Sequence, residues 1–364
     1  MRGGSVWIIA LPVMILRKIR PRADHSRYAS PVRRRQSDTG RKRILFAVVA
    51  VIALMLFFRS RSPVPTAGAM HIFSVSKSAT TSQIKEKLFK EDFMQGKWFV
   101  GFAMLLHGGF WRVSPGGYRL TEDMGAWEIA GILTSPPPLI WVTIPEGLRK
   151  EQIAGRLASA LQWAGDERDH FLAADVREPY GLTEGFYFPD TYLIPLHETG
   201  AMVARRFVDR FNENVDPLVP GFNKANIKLD TAITLASIIQ REAGGKDDMP
   251  LIAGILWNRL LIHMPLEVDA TLQYARGDAG SGYWAPVTVA DKKIDSSFNT
   301  YRHSGIPPSP IANPGLDAIT AVLHATDTPC LFYLHDASHQ IHCAKTYAEH
   351  LRNIETYLRH PASS

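Results

Sequence analysis

The chain has 364 residues, 41 Lys and Arg against 35 Asp and Glu, and a formal net charge of +6. Its length and its hydrophobic fraction of 46% suffice for a buried core, which excludes a wholly disordered chain. The positive charge is local, because eleven Lys and Arg lie between Arg17 and Arg43, against only Asp24 and Asp38. The remainder is close to neutral, so we expect no nucleic-acid partner.

The N-terminal region predicts a membrane anchor. A basic tail at 1–43, expected to be disordered, runs into the uninterrupted apolar segment ILFAVVAVIALMLFF at 44–58. Fifteen helical residues rise about 22 Å, short of the ~30 Å hydrocarbon core, so the flanking arginines would have to reach the interface. The positive-inside rule places everything after residue 60 outside the cytoplasm. A cleavable signal ending at the A-x-A pattern of 67–69 is the alternative, and the early run VWIIALPVMIL leaves a mis-assigned start codon open.

After a linker at 59–70, two segments share the order of short strand, polar turn and helix. They are IFSVSKSATTSQIKEKL at 72–88 and IWVTIPEGLRKEQIAGRL at 140–157. This similarity predicts a small strand-turn-helix unit that occurs twice. Between them we predict a buried helix in WFVGFAMLLHGG, a strand in GGYRL and a helix capped by Thr121 in TEDMGAWEIAGIL. The aromatic stretch TEGFYFPDTYLIP is expected to build core, with a sugar-stacking strip as the alternative.

The segment TAITLASIIQREAGG at 231–245 brings a carboxylate, Glu242, onto the apolar face of a predicted helix. Asp230 is the expected N-cap, and Gly244 is expected to end the helix in a left-handed conformation. The negative end of the helix dipole and partial desolvation would both raise the pKa of Glu242. A carboxyl that keeps its proton near neutral pH suits general-acid catalysis, whereas a solvated glutamate at a helix end is the simpler alternative.

A second helix, LIAGILWNRLLIHM, follows with Asp247 or Asp248 as cap and Pro250 in its first turn. Asn258 ends its apolar stripe, and Gly254 would let the two helices approach closely. Downstream lie LEVDATLQYA and the loop SSFNTYRHSGIPPSPIANPG at 296–315. Its Asn, Tyr, Pro and Gly content favours a rigid groove wall over a plain connector.

Two cysteines, Cys330 and Cys343, flank LFYLHDASHQIH, which predicts a hairpin centred on 336–338 with the cysteines opposite each other. Outside the cytoplasm they could form a cross-strand disulfide. Free buried thiols are an equal alternative.

The ordered motifs LASIIQREAGGKDDMPLIAGILWNRL, MPLEVDATLQYA, FNTYRHSGIPPSPIANPG and TYAEH, together with EGFYFPDTYL, resemble the endolytic murein transglycosylase family, also called MltG or YceG-like proteins. The likeness runs from about residue 70 to 358. Glu242 corresponds to the family's essential glutamate, the second acidic position of IIEKE, while the first is Gln240 here. The family's TDPT is VDAT, its GLPPGPI has Ser309 for Gly, and its Gly-His-x-Phe hairpin is replaced by HQIHCAK.

The resemblance implies an α+β protein of the bacterial inner membrane, with a single N-terminal transmembrane helix, a small LysM-like subdomain and a mixed α+β catalytic domain in the periplasm. The expected bounds are a LysM-like subdomain at 71–138, an intermediate α/β region at 139–229, a catalytic region at 230–358 and a tail at 359–364. The implied activity is internal cleavage of nascent peptidoglycan strands between N-acetylmuramic acid and N-acetylglucosamine, which gives 1,6-anhydro ends and limits strand elongation.

Glu242 is the expected catalytic residue, and no metal or cofactor is expected. Peptidoglycan and cell-wall synthases are the expected partners. The residues expected to bind substrate are Asn258, Arg259, Glu267, Asp269, Asn299, Thr300, Tyr301 and Asn313. Two alternatives stay open. One is a hydrolytic muramidase with Asp269 as second carboxylate, and the other is a non-catalytic peptidoglycan-binding scaffold.

Overall fold

A computed structural model describes residues 39–60, 69–91, 93, 97–121, 123–163, 165–174, 184–280 and 282–359. The chain divides into two compact units, Met1–Arg61 and Ser62–Ser364. The first unit contains helix α1, Thr39–Ser60, which includes the predicted apolar run. Among the described residues, no helix is long and apolar enough to cross a membrane. Most of the predicted basic tail and of the linker, and the last five residues, lie outside the described residues.

The second unit is built on a four-stranded antiparallel sheet with the strand order β1-β2-β3-β4. Its strands are β1 Met70–Val75, β2 Gly116–Thr121, β3 Leu139–Thr143 and β4 Thr191–Pro195. The helices between β1 and β4 are α2 Thr81–Lys90, α3 Lys97–Leu106, α4 Ala126–Leu133, α5 Lys150–Leu161 and α6 Glu167–Ala173. This arrangement confirms a mixed α+β fold.

After β4 the chain is mainly helical. The helices are α7 Gly200–Val215, α8 Val219–Lys224, α9 Leu229–Glu242, α10 Met249–Leu261, α11 Asp269–Arg276 and α12 Leu316–Leu323. A separate antiparallel hairpin follows, made of β5 Phe332–His335 and β6 Ile341–Ala344, and then α13 Tyr347–Ile354. Short helical turns lie at Phe110–Arg112, Asp216–Leu218, Asp291–Lys293 and Glu355–Arg359.

Both predicted strand-turn-helix segments are confirmed, as β1 with α2 and β3 with α5. The third residue of each helix is a glutamine that reaches back to the residue before the helix. Gln83 Oε1 accepts the Thr80 N–H at 2.8 Å, and Gln152 Oε1 accepts the Arg149 N–H at 3.1 Å. These bonds satisfy amides that the helix itself leaves unpaired. The cap at Thr121 is wrong, because that residue ends β2 and α4 starts five residues later.

Two hydrophobic cores lie along the second unit. The smaller one is formed by strands β1 and β2 and by helices α2, α3 and α4. Phe73, Leu88 and Tyr118 are fully buried in it. The larger one runs from β3 to α12 and surrounds α9, whose residues 232–239 are all buried. The aromatic stretch 184–195 contributes Phe186, Tyr187, Phe188 and Tyr192 to this larger core, as predicted. The buried part of α9 therefore anchors the last turn of the helix in the larger core.

Candidate active site

Glu242 is the last residue of α9, at the end of the apolar stripe. Its carboxyl is partly buried rather than free in solvent. The helix starts at Leu229 with Lys228 as its N-cap, so Asp230 lies in the first turn and the predicted cap is wrong. The placement of Glu242 in the last helical turn is confirmed.

The chain leaves α9 without the predicted left-handed glycine. Ala243 is already extended, with φ −69° and ψ 136°, and Gly244 has no positive φ. The Asp248 carboxylate accepts the N–H groups of Gly244 at 3.0 Å and Gly245 at 3.2 Å. A carboxylate at the start of α10 therefore fixes the turn that follows Glu242.

Two donors hold the Glu242 carboxyl. The Tyr333 hydroxyl donates to Glu242 Oε2 at 2.8 Å, and the Ala270 backbone N–H also hydrogen bonds to the carboxyl. Burial raises the pKa of Glu242, and the nearby Asp269 charge raises it further, while the bond from Tyr333 opposes both. Desolvation is the largest of these effects, so the net shift is toward the protonated form.

Tyr333 reaches the site because it lies on β5 of the hairpin. The next residue on the same face of the strand, His335, hydrogen bonds through Nε2 to Asp248 Oδ2 at 2.7 Å. The hairpin thus contacts both the carboxyl of Glu242 and the carboxylate that fixes the following turn. Burial and the neighbouring Glu242 raise the pKa of Tyr333 well above its usual value, so its hydroxyl remains a donor.

A disulfide joins Cys330 and Cys343 at the base of this hairpin, with Cα atoms 5.9 Å apart. Of the two equal alternatives, the bonded one is present. The predicted pairing is wrong in register, since Cys343 lies opposite Tyr333 while Cys330 precedes β5. Strand pairing in the hairpin is therefore shifted by three residues from the predicted pairing of Cys330 with Cys343.

Asp269 is the first residue of α11 and is exposed. The Tyr301 hydroxyl donates to Asp269 Oδ1 at 2.7 Å, which fixes the carboxylate. Thr300 accepts the Val268 N–H at 3.0 Å, and its hydroxyl contacts the Thr271 hydroxyl at 2.9 Å. The loop that contains Thr300 and Tyr301 thus lies against the start of α11, next to Glu242.

Other predicted binding residues have their polar groups committed to the fold. Buried Asn299 donates to the carbonyls of Lys292 and Ile294 and accepts the Tyr301 N–H. Buried Asn313 accepts the N–H groups of Gly185 and Tyr187 at 3.0 and 2.9 Å and donates to Leu148 O and Glu184 Oε1. These two side chains shape the loops around the site through bonds inside the protein.

Asn258 and Arg259 lie in the last turns of α10. Asn258 Nδ2 donates to the carbonyls of Thr328 at 2.6 Å and Cys330 at 3.1 Å. Arg259 is almost fully buried and donates to Leu331 O at 2.6 Å and Leu266 O at 2.7 Å, and its nearest carboxylate, Glu267, is 3.8 Å away. Both residues therefore connect α10 to the base of the hairpin.

Glu267 itself is exposed and adopts a left-handed conformation, with φ 53°. Gly254 does not serve the predicted helix-helix approach. A Cβ there would lie 2.1 Å from Thr326 O, so the glycine makes room for the loop after α12.

The loop at 306–315 is tied to α9 by two hydrogen bonds. Ser237 Oγ accepts the Ile311 N–H at 3.0 Å, and Gln240 Oε1 accepts the Gly315 N–H at 2.9 Å. The second bond explains why glutamine suffices at position 240, since a carboxylate oxygen would accept the same N–H.

Five features of this region had no sequence signal that identified them. They are the Tyr333 donor, the Ala270 amide, the Asp248–His335 pair, buried Glu184, and Arg241 stacked on Trp284. Each pairs groups between 28 and 129 positions apart in the chain, and local pattern does not report such contacts. No group of three or more His, Cys, Asp or Glu in the described part of the chain is arranged to hold a metal ion.

The fold and the site define a class of protein. It is an α+β domain with a carboxyl of raised pKa at a helix end and a second, fixed carboxylate nearby. The YceG-like family model matches residues 73–356, which is most of the chain. The chain belongs to the YceG-like family.

Two relatives are endolytic murein transglycosylases. The one from Bacillus subtilis strain 168 is 27% identical over 309 residues, covering 78% of this chain and 84% of the relative. The one from Streptococcus pneumoniae strain D39 is 27% identical over 283 residues, and the match spans 68% of this chain but only 51% of the relative. A crystal structure of a YceG-like protein from Listeria monocytogenes has a TM-score of 0.55 at 23% identity, covering 78% of this chain and 98% of that one. That similarity shows a shared fold.

Proposed function

We propose that the protein is an endolytic lytic transglycosylase that cleaves peptidoglycan glycan strands, with Glu242 as general acid and then general base. The observation that carries the proposal is the partly buried Glu242 carboxyl with a raised pKa, held by Tyr333 at 2.8 Å. The names of the relatives support the substrate class. Of the predicted binding residues, Asp269 and Tyr301 are hydrogen bonded to each other near Glu242, and we expect them to contact a strand there.

In the proposed reaction Glu242 gives its proton to the oxygen that joins N-acetylmuramic acid to N-acetylglucosamine. The C1–O bond breaks, and its electron pair stays on the leaving oxygen. The C6 hydroxyl of the muramoyl residue then attacks C1, and its proton passes to the Glu242 carboxylate. The new C1–O6 bond makes the 1,6-anhydro end, and Glu242 is protonated again. An internal nucleophile has a high effective concentration, so one carboxyl is sufficient.

A Glu242→Gln variant tests the catalytic role. We expect loss of glycan cleavage by 10²-fold or more, since general-acid catalysis typically contributes roughly 10²- to 10⁴-fold. Glu213→Gln, at an exposed site on α7, is the matched control and should keep full activity. Retained cleavage in Glu242→Gln would refute the assignment, and a scaffold protein would keep its cellular role in both variants.

The masses of the released ends distinguish transglycosylation from hydrolysis. An anhydro end is one water lighter than a reducing end. We expect only anhydro ends from un-crosslinked glycan. Reducing ends would instead favour the muramidase, with Asp269 as its second carboxylate.

The cellular setting is also part of this proposal. Action outside the cytoplasm agrees with relatives that act on murein. The inner-membrane location, the anchor at 44–58 and cell-wall synthases as partners rest on the sequence pattern and the family resemblance. The strand-helix-helix-strand order of β1, α2, α3 and β2 supports the LysM-like assignment of the small unit. Fractionation of cells that express the full chain should find it with the membranes, and recovery in the soluble fraction would count against the anchor.

A further inference from the structure

Arg241 immediately precedes Glu242 and differs from the other arginines of the larger core. Arg149, Arg259 and Arg276 all donate to carbonyl or carboxylate oxygens, although the Nε of Arg276 also lacks an acceptor. The Arg241 guanidinium has no hydrogen-bond acceptor among the described residues, although its Nε is shielded from solvent. A shielded guanidinium nitrogen without an acceptor is costly, which suggests that an acceptor arrives with a ligand.

The guanidinium is nevertheless held in place. It stacks on the Trp284 ring at 3.9 Å from the ring centroid, and Trp284 Nε1 donates to Gln152 Oε1 at 2.9 Å. Stacking fixes the plane of the guanidinium, and its Nη groups, which have no acceptor in the part of the chain that the structure describes, are left to bind a planar anion. The guanidinium is thus held in one orientation, although no acceptor among the described residues is bound to it.

A glycine lies close to this group. Gly147, at φ 74°, passes next to Arg241, and a Cβ there would lie 3.3 Å from Nη1. Arg241 is partly exposed. Glu242 is close enough for its charge to raise the pKa of Arg241, against the lowering caused by burial. An anion bound here would therefore lie next to the reacting carboxyl.

We propose that Arg241, supported by Trp284, binds a carboxylate of the substrate beside the scissile bond. This inference rests on the proposed function. A muramic acid residue has a lactyl group that ends either in a free carboxylate or in a peptide with its own carboxylates. A guanidinium fork matches a carboxylate in two parallel hydrogen bonds. Arg241 then determines specificity for the charged muramoyl side of the bond.

Steady-state cleavage by the full chain tests this with three un-crosslinked substrates. One has its stem peptides, one has free lactyl carboxylates after peptide removal, and one has all carboxylates converted to methylamides. For Arg241→Gln we expect KM to rise about tenfold on a charged substrate with kcat nearly unchanged, and no change relative to wild type on the neutral one. If KM rises only on the strand with stem peptides, Arg241 binds a carboxylate of the stem peptide. If KM also rises on the peptide-free strand, Arg241 binds the lactyl carboxylate.

Controls separate binding from a structural effect. Arg205→Gln removes an exposed arginine paired with Asp209 on α7 and should leave both parameters unchanged. Arg241→Lys keeps the charge but loses the fork, so we expect a smaller KM rise that is again confined to charged substrates. Equal losses on charged and neutral substrates, or no loss at all, would overturn the proposal. Absence of anhydro ends with the wild-type chain would instead defeat the proposed function.

Discussion

At the scale of single residues, the state of the Glu242 proton depends on a balance of opposing contacts. Burial and the charge of Asp269 favour the protonated carboxyl, while Tyr333 and the Ala270 amide favour the carboxylate. Because the proposed first step requires the proton, activity should fall as pH rises through the raised pKa of Glu242. Removing a donor that stabilises the carboxylate should move that fall to higher pH.

Tyr333→Phe removes the hydroxyl donor and keeps the ring. We expect the alkaline limb of the pH–rate profile to move upward, and the maximal rate to fall about tenfold because the carboxyl is less firmly oriented. Tyr347→Phe, at an exposed site, is the matched control. A rate loss without any shift of the limb would mean that Tyr333 acts only on packing.

Ala270→Pro removes the second donor through a single backbone atom. Ala270 is the second residue of α11, where an N–H has no partner inside the helix and proline is tolerated. We expect the alkaline limb to move upward as with Tyr333→Phe, with a similar unfolding temperature. An unchanged profile in a folded variant would show that this amide has no influence on the Glu242 proton.

Glu184 provides a test that concerns stability rather than catalysis. It is buried, accepts the Asn313 side-chain N–H at 2.8 Å, and burial raises its pKa to about 8. The folded state therefore keeps a proton that the unfolded chain releases above about pH 4.5. Between these two values stability should fall as pH rises, by about 1.4 kcal/mol per pH unit.

Glu184→Gln should abolish this dependence, because glutamine resembles the protonated acid. Denaturant unfolding at pH 5 to 8 should show the variant gaining on the wild type as pH rises, while Glu213→Gln follows the wild type. Parallel curves for wild type and Glu184→Gln would contradict the raised pKa of Glu184.

At the scale of elements, helix and strand positions could be predicted from the sequence, whereas their ends could not. The apolar stripe of α9 places Glu242 correctly because periodicity is a local property. The predicted left-handed Gly244 is wrong because the Asp248 carboxylate accepts the amides of Gly244 and Gly245 after α9. The predicted register of the hairpin is wrong because the two disulfide-bonded cysteines do not lie directly opposite each other. The position of Glu242 could be predicted, but not the donors to its carboxyl, which lie on other elements.

The β5–β6 hairpin connects the disulfide to the catalytic proposal. The bond closes a loop with a sequence separation of 13, which in the loop-entropy model stabilises by about 3 kcal/mol. We expect a Cys330→Ser/Cys343→Ser double variant to lose cleavage several-fold, because Tyr333 is then held less firmly against Glu242. Reductant should lower wild-type activity and leave the double variant unchanged. Equal activity of the wild type and the double variant would show that the disulfide does not influence the site.

At the scale of the whole molecule, the two cores are joined by a narrow part of the sheet. Strands β2 and β3 share one register pair, Gly117 with Leu139, whereas β1–β2 and β3–β4 share six and five. Few hydrogen bonds at a junction favour separate opening of the parts on either side. The smaller core, which lacks every predicted site residue, could therefore unfold while the Glu242 region stays intact.

Leu88→Ala and Leu157→Ala form a matched pair that tests this independence. Both leucines are fully buried, one in each core, and each truncation should cost about 2–5 kcal/mol. We expect Leu157→Ala to lower the temperature at which glycan cleavage is lost. We expect Leu88→Ala to lower the midpoint temperature of a separate, earlier unfolding transition, while cleavage of soluble glycan persists. Heating each variant and then assaying residual cleavage compares them directly. Inactivation of both variants at one common temperature would mean that residues 69–359 unfold as a single cooperative unit.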